Sequence, residues 1–420
     1  MNGKSVVVIH PFQQHSFKTA TAVKEAGMLN KYITTVYDKK GSWTRRLQFL
    51  LSSENKIRSQ NRKTKDLLDE EVIQLCELRS LFLLVLQRID KSRVLYSWFF
   101  KYLIRRFNAK VYKYLIRTNP DAVIVYDTLC ADLVAKIKSS NLDIKIIIDM
   151  SAPYYNYMER EFIKDIDKHP DYSQELRTMI DSPLYSYRRQ YSKTEVETAD
   201  AFLVASAFTE KSLVESGIDQ QIFLCQYGID DFTDMHSRSE EKRKNTQVPV
   251  KAVFVGRVNQ AKGAYLLIEV AKMLMDKPIQ FDFFGSYNPG SETIKKSPAN
   301  CHFHGHVPRQ LMIKAYQDSD VLILPTLADG FGFVIPEALS NGLPVIVSSN
   351  AGAAQIVVEG VNGMIFNTGD ETQLKNLLEK IISYPALIDS MKLNARSSIN
   401  SLTWEKYNEQ VRKALNDIVL

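Results

Sequence analysis

The pattern of hydrophobic positions predicts two regions in which short buried strands alternate with helices. Runs of β-branched and aromatic residues recur at 6–9, 123–126, 144–148 and 201–205, and again at 252–255, 281–284, 321–324, 344–347 and 364–366. Strands that alternate with helical segments in this way are typical of parallel α/β sheets. We therefore predict an α/β fold with two doubly wound, Rossmann-like domains that face each other across a cleft.

A polar segment separates the two regions. Residues 235–250 are charged and lack hydrophobic periodicity, which predicts a linker. The predicted boundaries are then an N-terminal domain over 1–234, a C-terminal domain over 251–400 and a final helix over 401–420. The apolar positions of that helix do not indicate which domain it packs on, so a return to the first domain stays open.

Charge is distributed unevenly along the chain. The formal net charge is +6, but residues 39–117 hold 19 Lys and Arg against 7 Asp and Glu, a net of +12. Aromatic residues interleave with this charge at helical spacing over 92–117, which predicts a basic amphipathic helix within a helical insertion. Its aromatic face either joins the domain core or binds an anionic membrane surface. No nucleic-acid-binding motif accompanies the charge, so a nucleic-acid partner is not expected.

The cysteine positions and the lengths of the apolar runs indicate the compartment in which the protein is expected. The cysteines Cys76, Cys130, Cys225 and Cys301 are scattered and form no CxxC pair, which argues against a disulfide framework and fits a reducing compartment. No run approaches the roughly 20 apolar residues that span a bilayer. We expect a cytoplasmic protein that is at most peripheral on the inner face of a membrane.

The segment 321–349 is the most informative stretch for predicting a binding site. A buried strand ends at Leu324, and a glycine-rich loop that begins at Asp329 leads into a helix. Glycines before a helix let backbone N–H groups approach an anion closely. Asp329 and Glu337 stand eight residues apart, so both can face the same region, where carboxylates suit the hydroxyls of a sugar and a ribose. The alternative is that Asp329 caps the helix and Glu337 is exposed.

A basic pair follows another strand. Arg257 comes directly after the strand that ends near Gly256, and Lys262 precedes the next helix. A guanidinium fork together with a lysine point charge suits a pyrophosphate. Because carboxyl ends of parallel strands meet at one edge of a sheet, we expect this pair to lie near the loop at Asp329.

These motifs together carry a family resemblance. GRVNQAKG, then FHGHVPRQLMIKAYQDSDVLILPT, then ADGFGFVIPEALSNGLPVIVSSNAGAAQIVVEGVNGMIF resembles the glycosyltransferase group 1 family, whose members are retaining enzymes of GT-B fold. The resemblance covers about residues 195–375. It implies transfer of a sugar from a nucleotide-diphosphate sugar to an acceptor hydroxyl, with no metal or other cofactor. The acceptor would be a glycan or a lipid-linked glycan, as in surface-polysaccharide or glycolipid synthesis.

The resemblance also assigns roles residue by residue. Asp329 would contact the donor sugar, Glu337 the nucleotide ribose, and Arg257 and Lys262 the diphosphate. The remaining implied donor-binding residues are Gly256, Gly305, His306, Val307, Gly330, Phe331, Gly332, Phe333 and Val334, with Gly305 to Val307 beside the nucleobase. Asp329 stands where the family more often has glutamate, which shortens the carboxylate side chain by one methylene.

The first half resembles the family less closely. His15 and Lys18 follow the first strand and are expected to face the cleft, with His15 as a contact to the acceptor or the sugar. Where the family often has His-Asp, this chain has Asp149-Met150-Ser151, so a histidine role does not transfer to that position.

Two short sequence motifs imitate metal sites. Asp318-Ser319-Asp320 imitates a DxD metal motif, and His302, His304 and His306 alternate as on one face of a strand, but neither brings further ligands at matching spacing. We predict no metal site.

Two other functions compete with sugar transfer. One is a sugar-nucleotide epimerase or phosphorylase of the same fold, and the other is a catalytically inactive nucleotide- or glycan-binding scaffold.

Overall fold

The fold contains two parallel β-sheets. A computed structural model describes residues 4–12, 15–50, 56, 59–230 and 249–419. The first sheet has the order β3-β2-β1-β4-β5-β6-β7 and the second the order β10-β9-β8-β11-β12-β13. The strands are Val6–Ile9 (β1), Leu29–Thr34 (β2), Val72–Gln74 (β3), Ala122–Tyr126 (β4), Lys145–Met150 (β5), Ala201–Val204 (β6), Gln221–Leu224 (β7), Val250–Val255 (β8), Ile279–Phe284 (β9), Cys301–Gly305 (β10), Val321–Leu324 (β11), Val345–Ser348 (β12) and Gly363–Phe366 (β13).

Helices cover the faces of both sheets. Those of the first domain are Ser16–Glu25 (α1), Trp43–Arg46 (α2), Glu77–Ile89 (α3), Val94–Thr118 (α4), Ala131–Lys138 (α5), Tyr155–Lys168 (α6), Gln174–Ile180 (α7), Pro183–Thr198 (α8) and Ala207–Val214 (α9). Those that follow β8 are Ala264–Met273 (α10), Glu292–Lys295 (α11), Arg309–Asp318 (α12), Val334–Ser340 (α13), Glu371–Ser383 (α14), Pro385–Ala395 (α15) and Trp404–Val419 (α16).

The sheet order places the cleft. All strand pairs within each sheet are parallel, and the order reverses at β1 and β4 in one sheet and at β8 and β11 in the other. In doubly wound sheets, the loops beyond the carboxyl ends of the strands separate at such a reversal and leave a crevice. The two crevices face each other, which confirms the predicted α/β class and its two Rossmann-like sheets.

The hydrophobic pattern located nine of these strands and missed four. The missed strands are β2, β3, β7 and β10. β7 and β10 lie at sheet edges and are mostly half-buried or exposed, so their hydrophobic signal is weak. β3 is a three-residue edge strand inside 39–117, which shows that this insertion is not wholly helical. Most of the predicted linker, 235–248, lies outside the described residues.

The amphipathic segment forms the long helix α4 as predicted. One face is buried in the core through Phe100, Leu103, Ile104, Phe107 and Val111. The core-packing interpretation of that aromatic face is therefore correct for most of the helix. Near its start α4 instead leaves large side chains in solvent, and Trp98 is 64% exposed. No described helix is long and apolar enough to cross a membrane.

The last helix returns to the first domain. α16 packs along α1, where the Tyr407 and Thr19 hydroxyls lie 2.8 Å apart. Gly228 lies directly against the start of α16, because a Cβ there would lie 2.3 Å from the Trp404 backbone nitrogen. Burial of Tyr407, Val411 and Leu415 holds the helix in place. The crossover that the sequence left open is therefore present.

Candidate functional site

Both domains line a cavity of about 1110 Å³. From the first domain come His15, Lys18, Ser151 and Ala152, and from the segment after β7 come Tyr227 and Asp230. The second domain contributes Gly256, Lys262, Arg309, Asp329, Phe331, Gly332, Phe333, Val334 and Glu337. Most of the residues that the sequence singled out therefore meet in one place, at the carboxyl ends of strands from both sheets.

Lys262 and Asp329 form the central ion pair of this cavity. Lys262 Nζ lies 2.5 Å from Asp329 Oδ2, and the two side chains are 36% and 19% exposed. The Phe331 backbone N–H donates to Asp329 Oδ1 at 3.3 Å. Asp329 thus both steadies the glycine-rich loop and holds the lysine ammonium at the cavity wall. A bound diphosphate would compete with this carboxylate for the same ammonium.

Close backbone approaches shape the loop after Asp329. Gly332 has φ +79°, in the left-handed region that favours glycine. Gly330 lies against the other domain, because a Cβ there would come within 2.4 Å of the Ser151 carbonyl oxygen. The Ser206 hydroxyl donates to the Gly330 carbonyl at 2.6 Å. The domains are therefore closed on each other at this loop.

Glu337 is a half-buried carboxylate on α13. The Tyr316 hydroxyl donates to its Oε2 at 3.1 Å. Burial raises the pKa of Glu337 to about 7, and the Tyr316 hydrogen bond and the Arg309 charge offset this only in part. Glu337 is therefore not the fully exposed side chain of the alternative interpretation. Its carboxyl group titrates near neutral pH beside the cavity.

His15 pairs with Asp149, which the sequence did not predict. His15 Nε2 lies 3.0 Å from Asp149 Oδ1 and 2.7 Å from the Tyr227 hydroxyl oxygen. The Thr19 hydroxyl donates to Asp149 Oδ2 at 2.9 Å. The residues His15 and Asp149 are 134 positions apart, so local sequence carries no signal for their contact. The position of Asp149 at the carboxyl end of β5 was the available hint.

Tyr227 joins the three parts of the molecule that surround the cavity. Its ring stacks on Phe333 at 5.6 Å and lies 4.2 Å from the His15 ring. Phe331 and Trp404 also pack against it. Tyr227 is thus a contact between the histidine of the first domain, the loop of the second domain and the returning helix.

Some predicted donor-binding residues lie elsewhere. Arg257 is exposed and lines a separate cavity of about 300 Å³ with Glu175 and Tyr287, rather than the cavity around the Lys262–Asp329 pair. Gly305, His306 and Val307 do not line the large cavity in the described chain, although Arg309, two residues further on, does. The basic pair expected from spacing alone is therefore divided between two cavities.

A second large cavity, of about 1130 Å³, adjoins the first. The two share the lining residues Ser151, Ala152, Lys262 and Asp329, and the second extends into the first domain toward α3 and α4. We call it the N-domain cavity. Ligands in the two cavities would therefore meet at the Lys262–Asp329 pair.

The loop after β4 borders the N-domain cavity and is held by buried carboxylates. Thr128 has φ +66°, which is strained for a β-branched residue. Glu195, fully buried on α8, accepts the backbone N–H groups of Thr128 and Cys130 at 2.5 and 2.6 Å. Asp127 accepts from the Ser151 backbone N–H and hydroxyl at 3.0 and 2.7 Å. These bonds fix the loop at the base of the cavity.

The apparent metal motifs have other partners. Asp320 pairs with Lys392 at 2.7 Å and accepts the Lys251 backbone N–H, while His304 pairs with Asp282. Within the described ranges, no group of three or more His, Cys, Asp or Glu is arranged to hold a metal ion.

Comparison with known proteins finds a family match in the second half of the chain. Residues 237–398 match the family model of the glycosyl transferases group 1. Over these residues, the chain is similar to that family. The sulfoquinovosyl transferase SQD2 of Arabidopsis thaliana is 30% identical over 233 residues, which cover 51% of this chain and 45% of that protein. The capsular polysaccharide biosynthesis glycosyltransferase CapM of Staphylococcus aureus is 27% identical over 178 residues, 39% of this chain and 46% of that protein.

The fold extends the similarity to the whole chain. Sucrose-phosphate synthase from Thermosynechococcus elongatus superposes with a TM-score of 0.61 at 15% identity, covering 99% of this chain and 98% of that one. By sequence, the chain spans about half the length of the curated relatives it matches. The sequence similarity is therefore concentrated in part of the chain, whereas the similarity of the two-domain fold extends over the whole chain.

Proposed function

We propose that this chain is a group 1 glycosyl transferase that moves a sugar from a nucleotide-diphosphate sugar to an acceptor hydroxyl and retains the anomeric configuration. The observation that carries the proposal is the meeting of two cavities at Lys262 and Asp329, beside Glu337. One cavity suits a donor and the other an acceptor. Within the described lining, Lys262 and Asp329 are the only charged residues that the two cavities share. The reacting atoms would therefore meet beside these two side chains.

The side chains support a division of roles. Lys262 stabilises the negative charge that develops on the departing diphosphate, and Asp329 orients the lysine and contacts the donor sugar. Glu337 accepts hydrogen bonds from the ribose hydroxyls. The closed contact of Gly330 on Ser151 excludes water from the junction, which favours transfer over hydrolysis. His15, fixed by Asp149 and Tyr227, borders the sugar from the first domain.

The acceptor in this proposal is a glycan or lipid-linked glycan used for surface polysaccharide or glycolipid synthesis. Support comes from the relatives' own names, which include a capsular polysaccharide biosynthesis enzyme. Support also comes from the position of the N-domain cavity, which leads to α3 and α4. These helices expose apolar side chains beside the basic residues of 39–117: Leu78, Phe82, Val85, Ile89, Val94, Leu95 and Trp98.

This exposed face suits the surface of an anionic membrane on the cytoplasmic side. Apolar side chains insert at the acyl boundary and each nearby Lys or Arg adds about 1 kcal/mol of attraction to anionic lipid. Sedimentation with phosphatidylcholine vesicles, with and without phosphatidylglycerol, tests it. Neutralising Arg105, Arg106 and Lys110 should release the protein from the anionic vesicles, and unchanged partitioning would contradict the membrane role.

A nucleotide screen tests the donor site. We would measure thermal stabilisation by UDP, GDP, dTDP, ADP and CMP, without metal, on the wild type and on Lys262→Ala, Arg257→Ala and Lys272→Ala. A ligand at 100 times its Kd adds about 2.7 kcal/mol of stability. One diphosphate should stabilise the wild type and the Lys272→Ala control, but Lys262→Ala much less. Arg257→Ala decides whether the separate cavity of about 300 Å³ that Arg257 lines takes part.

The opposite results would separate the rival functions. If no nucleotide stabilises any of these proteins, the result would contradict a donor site at Lys262. Nucleotide binding without sugar transfer or donor hydrolysis would favour the inactive scaffold. Product with inverted anomeric configuration, read by NMR, would refute retention.

A further inference from the structure

The loop that carries Lys262 is tied to both domains. Within its own domain, the Ala261 carbonyl oxygen accepts the Leu327 backbone N–H at 3.1 Å and the Thr326 hydroxyl at 3.2 Å. Toward the first domain, the side chain of Gln260 is only 2% exposed and contacts the last turn of α6. Lys262 stands two positions after Gln260, so this contact bears on where the lysine side chain begins.

Gln260 uses its side-chain amide to reach across the domain boundary. Its Nε2 lies 2.7 Å from Asp165 Oδ2 and 3.0 Å from Ser173 Oγ. The Ser173 hydroxyl itself donates to the His169 carbonyl oxygen, so it accepts from the amide. A terminal amide has two N–H donors, and here the first domain accepts both. The contact therefore exists only while the two domains are closed on each other at this point.

The partner carboxylate is buried beside this amide. Asp165 is 6% exposed, and burial raises the pKa of its carboxyl group while the Gln260 hydrogen bond opposes that rise. The charges of His169 and Lys168 act in the same direction as the amide, and that of Glu371 opposes them. His169 Nε2 is further away, at 3.9 Å from Asp165 Oδ1. The amide is thus the nearer of these two contacts, and hydrogen bonds to an ionised acceptor are about twice as strong as neutral ones.

A tight turn links the position of Gln260 to that of Lys262. The Gly263 backbone N–H donates to the Gln260 carbonyl oxygen at 2.7 Å, and the Lys262 backbone N–H donates to Asn259 Oδ1 at 3.0 Å. These bonds hold residues 259–263 as one unit, so a displacement of Gln260 displaces Lys262 and its ion pair with Asp329. A misplacement of about 1 Å in a reacting site can cost on the order of a hundredfold in rate.

We propose that Gln260 is a positioning residue that sets Lys262 for the donor diphosphate when the domains close, through its hydrogen bond to Asp165. The proposal rests on the proposed transfer function, because that function assigns the diphosphate to Lys262. In an open arrangement the amide faces water, and the loop keeps its contacts within the second domain but loses those to the first. Lys262 is then placed for the leaving diphosphate only after water has been excluded, which protects the donor sugar from hydrolysis.

An exchange of the amide and the carboxylate tests the contact. Gln260→Glu faces Asp165 with a second carboxylate, and adding Asp165→Asn restores one amide and one carboxylate with their places reversed. Neither substitution changes the length of a side chain. The matched control is Gln280→Glu, because the Gln280 amide donates to Asp282 Oδ2 at 3.1 Å and both residues lie on β9. For each protein we would measure the Kd of UDP, GDP, dTDP and ADP by calorimetry at constant ionic strength, and the folded state by urea denaturation.

We expect the diphosphate that binds the wild type to bind Gln260→Glu about tenfold more weakly, because like charges at the domain boundary oppose closure. Asp165→Asn keeps a neutral acceptor and should weaken binding about fivefold. The double exchange should return the Kd to within about twofold of the wild type, and Gln280→Glu should match the wild type. Equal binding by Gln260→Glu and the wild type, no recovery in the double exchange, or the same loss in Gln280→Glu would overturn the proposal. If Gln260→Glu does not fold, the loss in Asp165→Asn and its recovery in the double exchange decide the outcome.

A double-mutant cycle with Lys262→Ala tests whether Gln260 acts through that lysine. Binding to the weakened proteins is read as thermal stabilisation at high nucleotide concentration. In the absence of the Lys262 ammonium, Gln260→Glu should reduce diphosphate affinity by less than about twofold further. The full loss on the Lys262→Ala background would show that the amide acts on some other group, and the positioning role would be wrong.

Nucleotide binding by the wild type separates this test from that of the proposed function. If no diphosphate binds any of the proteins, the donor site at Lys262 and the role of Gln260 are both refuted. If the wild type binds one diphosphate and every variant at Gln260 and Asp165 binds it equally well, the donor site stands and only the positioning role is refuted.

Discussion

Replacing Glu337 by glutamine should change how stability depends on pH. Burial raises the pKa of Glu337 from its ordinary 4.5 to about 7, because the folded protein disfavours the ionised form. The native state therefore holds this proton more tightly than the unfolded chain. The wild type loses stability through ionisation of Glu337 as the pH rises from about 4.5 to about 7, and glutamine, which does not ionise, avoids that loss.

The size of the effect follows from the two pKa values. Each pKa unit corresponds to about 1.4 kcal/mol, so the full cost of the ionised carboxylate is about 3 kcal/mol. Between pH 5 and pH 8 the stability of Glu337→Gln should rise by roughly 2 to 3 kcal/mol relative to the wild type. Other groups that titrate in this range, Glu195 among them, are common to both proteins and cancel in the difference.

Urea denaturation at pH 5, 6, 7 and 8 measures this difference directly. The matched control is Glu379→Gln, an exposed glutamate whose pKa is instead lowered by its hydrogen bond to Lys375. That control should show no rise relative to the wild type. Parallel stability curves for Glu337→Gln and the wild type would refute the reasoning.

In the proposed function, the nucleotide affinity of the wild type should also rise through pH 7, because ribose hydroxyls favour the carboxylate. The nucleotide affinity of Glu337→Gln should stay level over the same range.

Three further substitutions test contacts that depend on tertiary structure. Gly330→Ala places a Cβ against Ser151 and should reduce transfer at least tenfold while nucleotide stabilisation persists; full activity with unchanged small-angle scattering would contradict closure at this loop. Gly228→Ala should lower the free energy of unfolding by about 1 to 3 kcal/mol through its clash at Trp404, whereas Gly290→Ala, which meets only a flexible side chain, should not. Glu195→Gln should destabilise the protein by about 1 to 3 kcal/mol, because one of two buried backbone N–H groups loses its acceptor. A melting temperature within 1 °C of the wild type, about half a kcal/mol for a domain of this size, would argue against that role.

Local pattern determined much of the architecture. Buried strands need continuous apolar runs, so β1, β4, β11 and most other interior strands were predictable from hydrophobicity alone, whereas the interior strand β2 begins with partly exposed polar residues and was missed. Edge strands such as β3 and β10 are short or partly exposed and leave no such run. The lining of the cavity by Asp329 and Glu337 also followed from sequence, since a loop and the helix after it necessarily lie close together.

Contacts between distant positions were decided only by the tertiary structure. The pairing of His15 with Asp149 and the return of α16 to α1 join segments more than a hundred residues apart. Spacing along the chain also does not determine which cavity a side chain lines, since Arg257 and Lys262, five residues apart, line different cavities. Sequence fixes which groups are available and which segments are buried, whereas sheet order and domain closure determine which groups meet and how strongly burial shifts a pKa such as that of Glu337.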